Sequence, residues 1–226
     1  MTLSIIMPVL DEATEVGAAL TALAPLRARG VEVIVADGGS HDGTAALAQP
    51  LADRVITSAR GRAVQTNAGA AVAHGDVLLF LHADTRLPVD ADKLVLDGLS
   101  CTGKIWGHFD VCFDSGGLGL VAFMMNLRSR ATGIATGDQA LFVTRAAFES
   151  VGGFPDIALM EDVALSARLK RKGRPLALRA RVTTSARRWR KHGVLRTILL
   201  MWKLRLAFSL GADPAKLARA YGYAEH

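Results

Sequence analysis

Two cysteines, Cys101 and Cys112, are all the chain has, at a spacing that suits neither a metal knuckle nor a dithiol redox motif. They read as reduced structural thiols, and a disulfide scaffold is excluded. Aromatic residues make up only 6% of the sequence, and no nucleic-acid recognition motif is present. That combination argues against a base-stacking surface. Long hydrophobic runs are also missing. The stretch Thr197–Trp202 is far shorter than the roughly 20 residues that span a bilayer. The opening residues carry no basic region and reach Pro8, Asp11 and Glu12 before a signal-peptide core could form, so a cytoplasmic protein is expected. Acid is absent from Val163 to Ala212, whereas Arg168, Lys170, Arg171, Lys172, Arg187, Arg188, Arg190, Lys191, Arg196, Lys203 and Arg205 all fall there. The net charge of +6 therefore belongs to the C-terminal quarter, a block able to meet nucleic acid, anionic lipid or a phosphorylated substrate.

What is present is a chain of 226 residues, half of them hydrophobic, enough for one large domain with a sizeable core. Apolar runs at Leu3–Met7, Val31–Ala36, Arg54–Ser58 and Val77–Leu81 predict short strands. They alternate with helical patterns over Val16–Leu26, through Leu47 and Leu51, and up to Ala73. This rhythm indicates parallel βαβ pairing, with the loops at Pro8, Asp37, Arg60 and His82 on one edge. The later spacing predicts strands over Ile105–Phe113, Gln139–Val143 and Pro175–Val182, and helices over Leu118–Arg130, Met160–Lys170 and Val194–Leu210. A soft boundary divides a first half, residues 1–90, from a second, 91–193, followed by a basic amphipathic helical tail at 194–226.

Val77–Thr85 organises the rest. It reads as a doubly buried strand that releases His82, Ala83 and Asp84 at its carboxyl end, where open α/β sheets bind ligands. Asp84 there either meets a metal-held phosphate or caps the following segment. The loop Asp37–Thr44, Asp-Gly-Gly-Ser-His-Asp-Gly-Thr, lacks both the dinucleotide fingerprint and the P-loop lysine. Asp37 is positioned to accept from a nucleotide, or its loop simply caps a helix. Gly61 and Arg62 open a helix whose free N–H groups favour a phosphate. Gln65 and Asn67 face either that ligand or, as polar helix residues more commonly do, solvent. Glu161 and Asp162 supply either a reacting carboxylate or favourable charge at a helix N-terminus.

In combination these segments are recognisable. Ser4–Glu12 (Ser-Ile-Ile-Met-Pro-Val-Leu-Asp-Glu), Ala36–Thr44, Gly75-Asp76 followed by strand and His-Ala-Asp, Gly137–Phe142, Gly152-Gly153-Phe154 and Met160-Glu161-Asp162 stand in an order that resembles the family 2 glycosyltransferases. The resemblance covers nearly the whole chain. It implies a GT-A-like three-layer α/β/α sandwich with a mainly parallel mixed sheet. It also implies an inverting transfer from a UDP- or GDP-linked sugar, assisted by Mg²⁺ or Mn²⁺. Residue by residue, Pro8, Leu10, Glu12, Asp37, Gly61, Arg62, Ala83 and Asp84 would bind the nucleotide sugar, with Asp84 also the metal ligand and Asp162 the catalytic base. Gly137, Asp138, Gln139, Glu161, Arg188 and Trp189 would face the sugar or acceptor. Gly38 replaces the usual second acid after Asp37, and His82 replaces the first Asp of the family's Asp-x-Asp.

A nucleotidyltransferase releasing pyrophosphate would use similar carboxylates, and a non-catalytic basic nucleic-acid-binding protein would account for the tail but not for the strand-end acids. The acceptor could be a lipid, a metabolite or a glycan, and no nucleic-acid partner is expected. Val194–Leu210, interrupted by Arg196, Lys203 and Arg205, reads equally as a helix packed on protein or one lying on the inner face of the plasma membrane.

Overall fold

Along the first strand, Leu3, Ile5, Met7 and Val9 join one hydrophobic cluster while Ile6 joins another, as the two-residue repeat of an extended chain requires when both faces of a sheet are covered. The computed structural model describes residues 1–222; residues 223–226, the end of the expected tail, lie outside the described residues. The first half contains β1 (Leu3–Val9), α1 (Ala13–Arg27), β2 (Glu32–Asp37), α2 (Thr44–Ala48), β3 (Arg54–Thr57), α3 (Arg62–Val72) and β4 (Val77–Phe80). There follow β5 (Thr85–Arg86), α4 (Ala91–Thr102), β6 (Trp106–Phe113), α5 (Gly119–Thr132), β7 (Phe142–Thr144), α6 (Arg145–Ser150), α7 (Glu161–Lys172) and β8 (Leu176–Thr184). The chain ends in α8 (Arg187–His192), α9 (Val194–Ser209) and α10 (Pro214–Tyr221).

One eight-stranded sheet, ordered β3-β2-β1-β4-β7-β6-β8-β5, carries both halves. The pairs β3–β2, β2–β1, β1–β4 and β6–β8 are parallel, whereas β7 runs antiparallel to both β4 and β6, and β5 antiparallel to β8. Val16, Leu20 and Leu23 of α1 and Val95 and Leu99 of α4 cover one face. Ala63 and Ala70 of α3, Phe148 of α6 and Leu165 and Leu169 of α7 cover the other. The expected α/β/α layering and mainly parallel mixed sheet are therefore observed. The parallel strands also bring the loops after Pro8, Asp37 and Phe80 to one edge.

Several elements depart from expectation. The strand expected over Gln139–Val143 is split: Gly137–Gln139 is a single 3₁₀ turn, and β7 begins only at Phe142. A reciprocal cap between Thr136 and Gln139 closes that turn, and Ala140 at φ 44° redirects the chain. Helix α2 stops at Ala48, leaving Leu51 in a turn. The two-residue β5 and helices α4, α8 and α10 are not among the expected elements: β5 and α8 are too short to show a period, whereas α4 buries Ala91, Val95 and Leu99 and α10 buries Leu217 and Ala218 on one face.

Gly107 marks the tightest seam. A Cβ added there would lie 2.2 Å from the Leu176 carbonyl oxygen and 2.6 Å from the Phe142 ring. Gly107→Ala is therefore expected to lower stability by about 1–3 kcal/mol, read as a drop in the urea midpoint. An unchanged midpoint would contradict the close approach of β6, β7 and β8.

Candidate active site

The site lies where the carboxyl ends of β1 and β4 meet the N-termini of α3 and α7. Pro8, Arg62, Thr66, Phe80, His82, Gly137, Glu161 and Asp162 line its inner pocket. A wider cleft of about 340 Å³ reaches Ala83 and Asp84 and is edged by Glu15, Arg86, Asp114, Arg187 and Arg190.

Helix α7 begins abruptly. Met160 adopts a left-handed conformation at φ 69°, which sets Glu161 and Asp162 on the first turn, at the positive end of the helix. Asp162 accepts hydrogen bonds from the Gly137 N–H at 2.7 Å and from its neighbour Val163 N–H at 2.6 Å. Two backbone donors fix the carboxylate while leaving it further lone pairs for a ligand. Glu161 is buried, with Oε1 3.4 Å from Arg62 Nη1. Burial is the main force that raises the Asp162 pKa to about 6; the charge of Glu161 adds to it, while the backbone donors and Arg62 oppose it.

Gly137 makes a second close contact. A Cβ there would fall 2.5 Å from the His82 ring, so His82 packs against this glycine. Its Nδ1 lies 3.6 Å from Asp138 Oδ1. Burial works against ionisation of Asp138, but the hydrogen bond and charge of His82, reinforced by Arg62 and Arg128, hold its pKa below the usual carboxylate range. His82 is thus engaged with the Gly137–Asp138 turn.

On the nucleotide side, Glu12 caps α1 through its carbonyl, its N–H bonds Thr44 Oγ1 at 2.9 Å, and its carboxylate lies 3.8 Å from Arg187. Burial raises the Glu12 pKa, and Arg187 partly offsets it while Asp84 adds repulsion. Leu10, two residues after Pro8, is half-buried. Asp84 is half-buried with Oδ1 3.3 Å from Thr85 Oγ1, and its carbonyl accepts from the Ser185 N–H. Gly61, at φ 133°, precedes the first residue of α3. Asp37 reaches the same edge, but its carboxylate turns onto its own loop, accepting from the N–H groups of Gly39 and Ser40 and from the Ser40 hydroxyl.

Three expected contacts are directed elsewhere. Gln139 is fully buried, with Oε1 accepting from Ser129 Oγ at 2.6 Å and Nε2 donating to the Phe109 carbonyl at 3.3 Å, so it closes the turn and does not reach the cleft. Arg188 stacks on the Tyr221 ring and donates to the Tyr221 carbonyl at 2.9 Å, tying α8 to α10. Trp189 packs edge-on against Phe113.

Other residues take up positions that sequence reasoning missed. Arg187, beside Arg188, is the one that meets Glu12. Arg128, on α5, lies within the electrostatic reach of Asp162 and Asp138, and burial lowers its pKa. Gln65, expected more readily in solvent, is buried and bonds the carbonyls of Val9 at 2.6 Å and Ala36 at 3.0 Å. Its side chain fills the space beside Gly38, 2.9 Å from where a Cβ would stand. The missing side chain at Gly38 was the signal that could have found it.

A profile described as glycosyl transferase family 2 matches residues 4–144. The chain belongs to this family. No curated protein matches it significantly. Among solved structures, S. aureus TarS 1-349 has a TM-score of 0.68 at 17% identity, with 82% of this chain and 61% of that one covered. Mannosyltransferase PcManGT from Pyrobaculum calidifontis, in complex with GDP-Man and Mn²⁺, has a TM-score of 0.66 at 20% identity, with 98% and 69% covered. Glucosyl-3-phosphoglycerate synthase from Mycobacterium tuberculosis, solved with Mn²⁺ and UDP, has a TM-score of 0.54 at 17% identity, with 81% and 70% covered. The chain thus spans about three-fifths of the length of TarS 1-349. These likenesses establish a common GT-A glycosyltransferase fold.

A carboxyl group whose pKa is raised is protonated below that value and becomes a proton acceptor above it. Any step that needs the Asp162 anion is therefore expected to quicken as pH rises through about 6. Glu161→Gln removes the neighbouring negative charge and should shift this acidic limb to lower pH, measured on kcat at saturating donor. A limb that stays in place would show that Glu161 does not set the Asp162 pKa.

Proposed function

We propose that the chain transfers a sugar from a nucleoside-diphosphate sugar to an acceptor hydroxyl, with inversion at the anomeric carbon. The observation that carries this reading is Asp162: a half-buried, oriented carboxylate with its pKa near 6 in the wall of the pocket at the strand ends. Membership of glycosyl transferase family 2 supports it.

In this reading Pro8, Leu10, Glu12, Gly61, Arg62, Ala83 and Asp84 border the donor, and Asp37 shapes the nucleotide loop more than it binds the base. Asp162 takes the proton of the acceptor hydroxyl as that oxygen bonds to the anomeric carbon. The bond from that carbon to the diphosphate breaks on the opposite face, and the nucleoside diphosphate leaves. Gly137 and Val163 hold the Asp162 carboxylate in register through their N–H groups. Arg62 balances the charge of Glu161, and Asp138 and Arg128 border the acceptor side.

Asp84 offers one half-buried carboxylate, the kind of oxygen donor that a hard divalent cation takes. Among the described residues no group of three or more His, Cys, Asp or Glu is arranged to hold a metal, and His82 is engaged at Gly137 and Asp138. Mg²⁺ and Mn²⁺ suit such a site because they accept one or two carboxylates and complete their shell with phosphate oxygens and water. Asp84 would hold such an ion, which would supply positive charge to the leaving phosphate.

Asp162→Asn is expected to reduce transfer by about 10²–10⁴-fold while donor affinity, by calorimetry with each of a panel of UDP-, GDP- and dTDP-sugars, stays within a few-fold. Retained turnover would exclude Asp162 as the base, and release of pyrophosphate would exclude glycosyl transfer. Asp84→Ala, or chelation of the wild type, should weaken donor binding. Donor affinity that ignores both treatments would remove Asp84 as a metal ligand.

A further inference from the structure

Helix α9 is apolar on two opposite sides, and the protein covers only one of them. Its inner side carries Leu204 and Thr197, each 2% exposed, and packs with Leu200, Ala207 and Phe208 against Leu159, Met160 and Leu217. Its outer side presents Leu195, Leu199, Trp202 and Leu206, continued by the C-cap Leu210, with exposures between 58% and 78%. At about 100° per residue these five side chains fall within an arc of about 80°, a single stripe along the helix. A helix that is apolar on two opposite sides requires cover on both of them.

The flanks of the stripe indicate what that cover is. By the same helical spacing, Arg196 and Lys203 lie along one margin and Arg205 along the other. Arg190 and Lys191 stand exposed in the preceding helix α8, and no Asp or Glu occurs from Val163 to Ala212. An apolar stripe margined on both sides by long basic side chains matches a bilayer interface. There the apolar residues enter the acyl boundary while the cations reach the headgroups. A second copy of the chain meeting this face across a two-fold axis would bring the same basic margins together, which like-charge repulsion opposes. Anionic headgroups supply the opposite charge. Crossing the bilayer is not an option, since among the described residues no helix is long and apolar enough to do so.

We propose that the outer face of α9 is a docking surface for an anionic lipid bilayer, on which the helix lies in the plane of the interface. The inner side of the same helix touches Met160, the residue that precedes Glu161 and Asp162. A bilayer seated on α9 would therefore lie one helix thickness from the candidate base.

The test is flotation of the full chain with vesicles of phosphatidylcholine alone and of phosphatidylcholine with about one-third phosphatidylglycerol, at low and high salt. Wild type should float with the anionic vesicles, leave them as salt is raised, and show a blue shift of Trp202 emission that Trp202→Phe removes. Leu199→Gln with Leu206→Gln should weaken binding by about tenfold or more, as should Arg196→Glu with Lys203→Glu. Unchanged melting temperatures and unchanged donor binding would show that both variants are folded. Three results would overturn the proposal: no flotation of the wild type, equal flotation of the wild type and the leucine variant, or light scattering that shows a dimer which the leucine variant converts to monomer.

Discussion

The site depends on one electrostatic conflict, the placing of Glu161 and Asp162 side by side at the start of α7 within a largely dehydrated wall. Two adjacent carboxylates repel, and at Asp162 burial adds to the penalty on the charge. The fold answers with Arg62 beside Glu161, with the Gly137 and Val163 N–H groups on Asp162, and with the positive end of the helix itself. The compensation is incomplete at Asp162, whose pKa settles near 6. In the proposed transfer, that partial compensation is what suits the group to act as a base. A fully neutralised carboxylate would bind a proton too weakly to serve as a base, and an uncompensated one would stay protonated at neutral pH.

Glycines set how closely the other parts can gather around this pair. Gly137 brings a backbone N–H to Asp162 and also lets the His82 ring lie against the chain, so one residue joins the end of β4 to the start of α7. Gly153 leaves room for Asn67, which accepts from the Phe154 N–H and donates to the Phe154 carbonyl, clasping α3 to the loop before α7. Gly38 yields its side-chain space to Gln65, which bridges the ends of β1 and β2. In each case the absent Cβ is replaced by a polar group from a distant segment, and the cleft is held by those cross-links.

The basic C-terminal quarter divides its charge among separate tasks. Arg187 meets Glu12 at the cleft, Arg188 stacks on Tyr221 to hold α10, and Arg196, Lys203 and Arg205 border the apolar stripe of α9. Composition treats these side chains as one block because it cannot see direction. Neighbouring positions on a helix point about 100° apart, so Arg187 and Arg188 diverge at once. For the same reason Arg187, and not Arg188, borders the cleft beside Glu12.

The first four strands and their parallel edge were legible in the sequence, and the layering of the sandwich in its resemblance to a family. These follow from period-two and helical apolar patterns and from motif order, which are local properties of the chain. Only the tertiary structure decided how each polar side chain in that frame is used. It drew Gln139 into the core, turned Asp37 onto its own loop, buried Gln65 beside Gly38 and brought Arg128 within reach of Asp162. It also left one side of α9 uncovered, although the apolar pattern of that helix is the same on both sides. For the polar side chains the physical reason is common. A hydrogen bond or an ion pair is made with whichever group lies within about 3 Å, and that neighbour is chosen by chain crossings that no local pattern records.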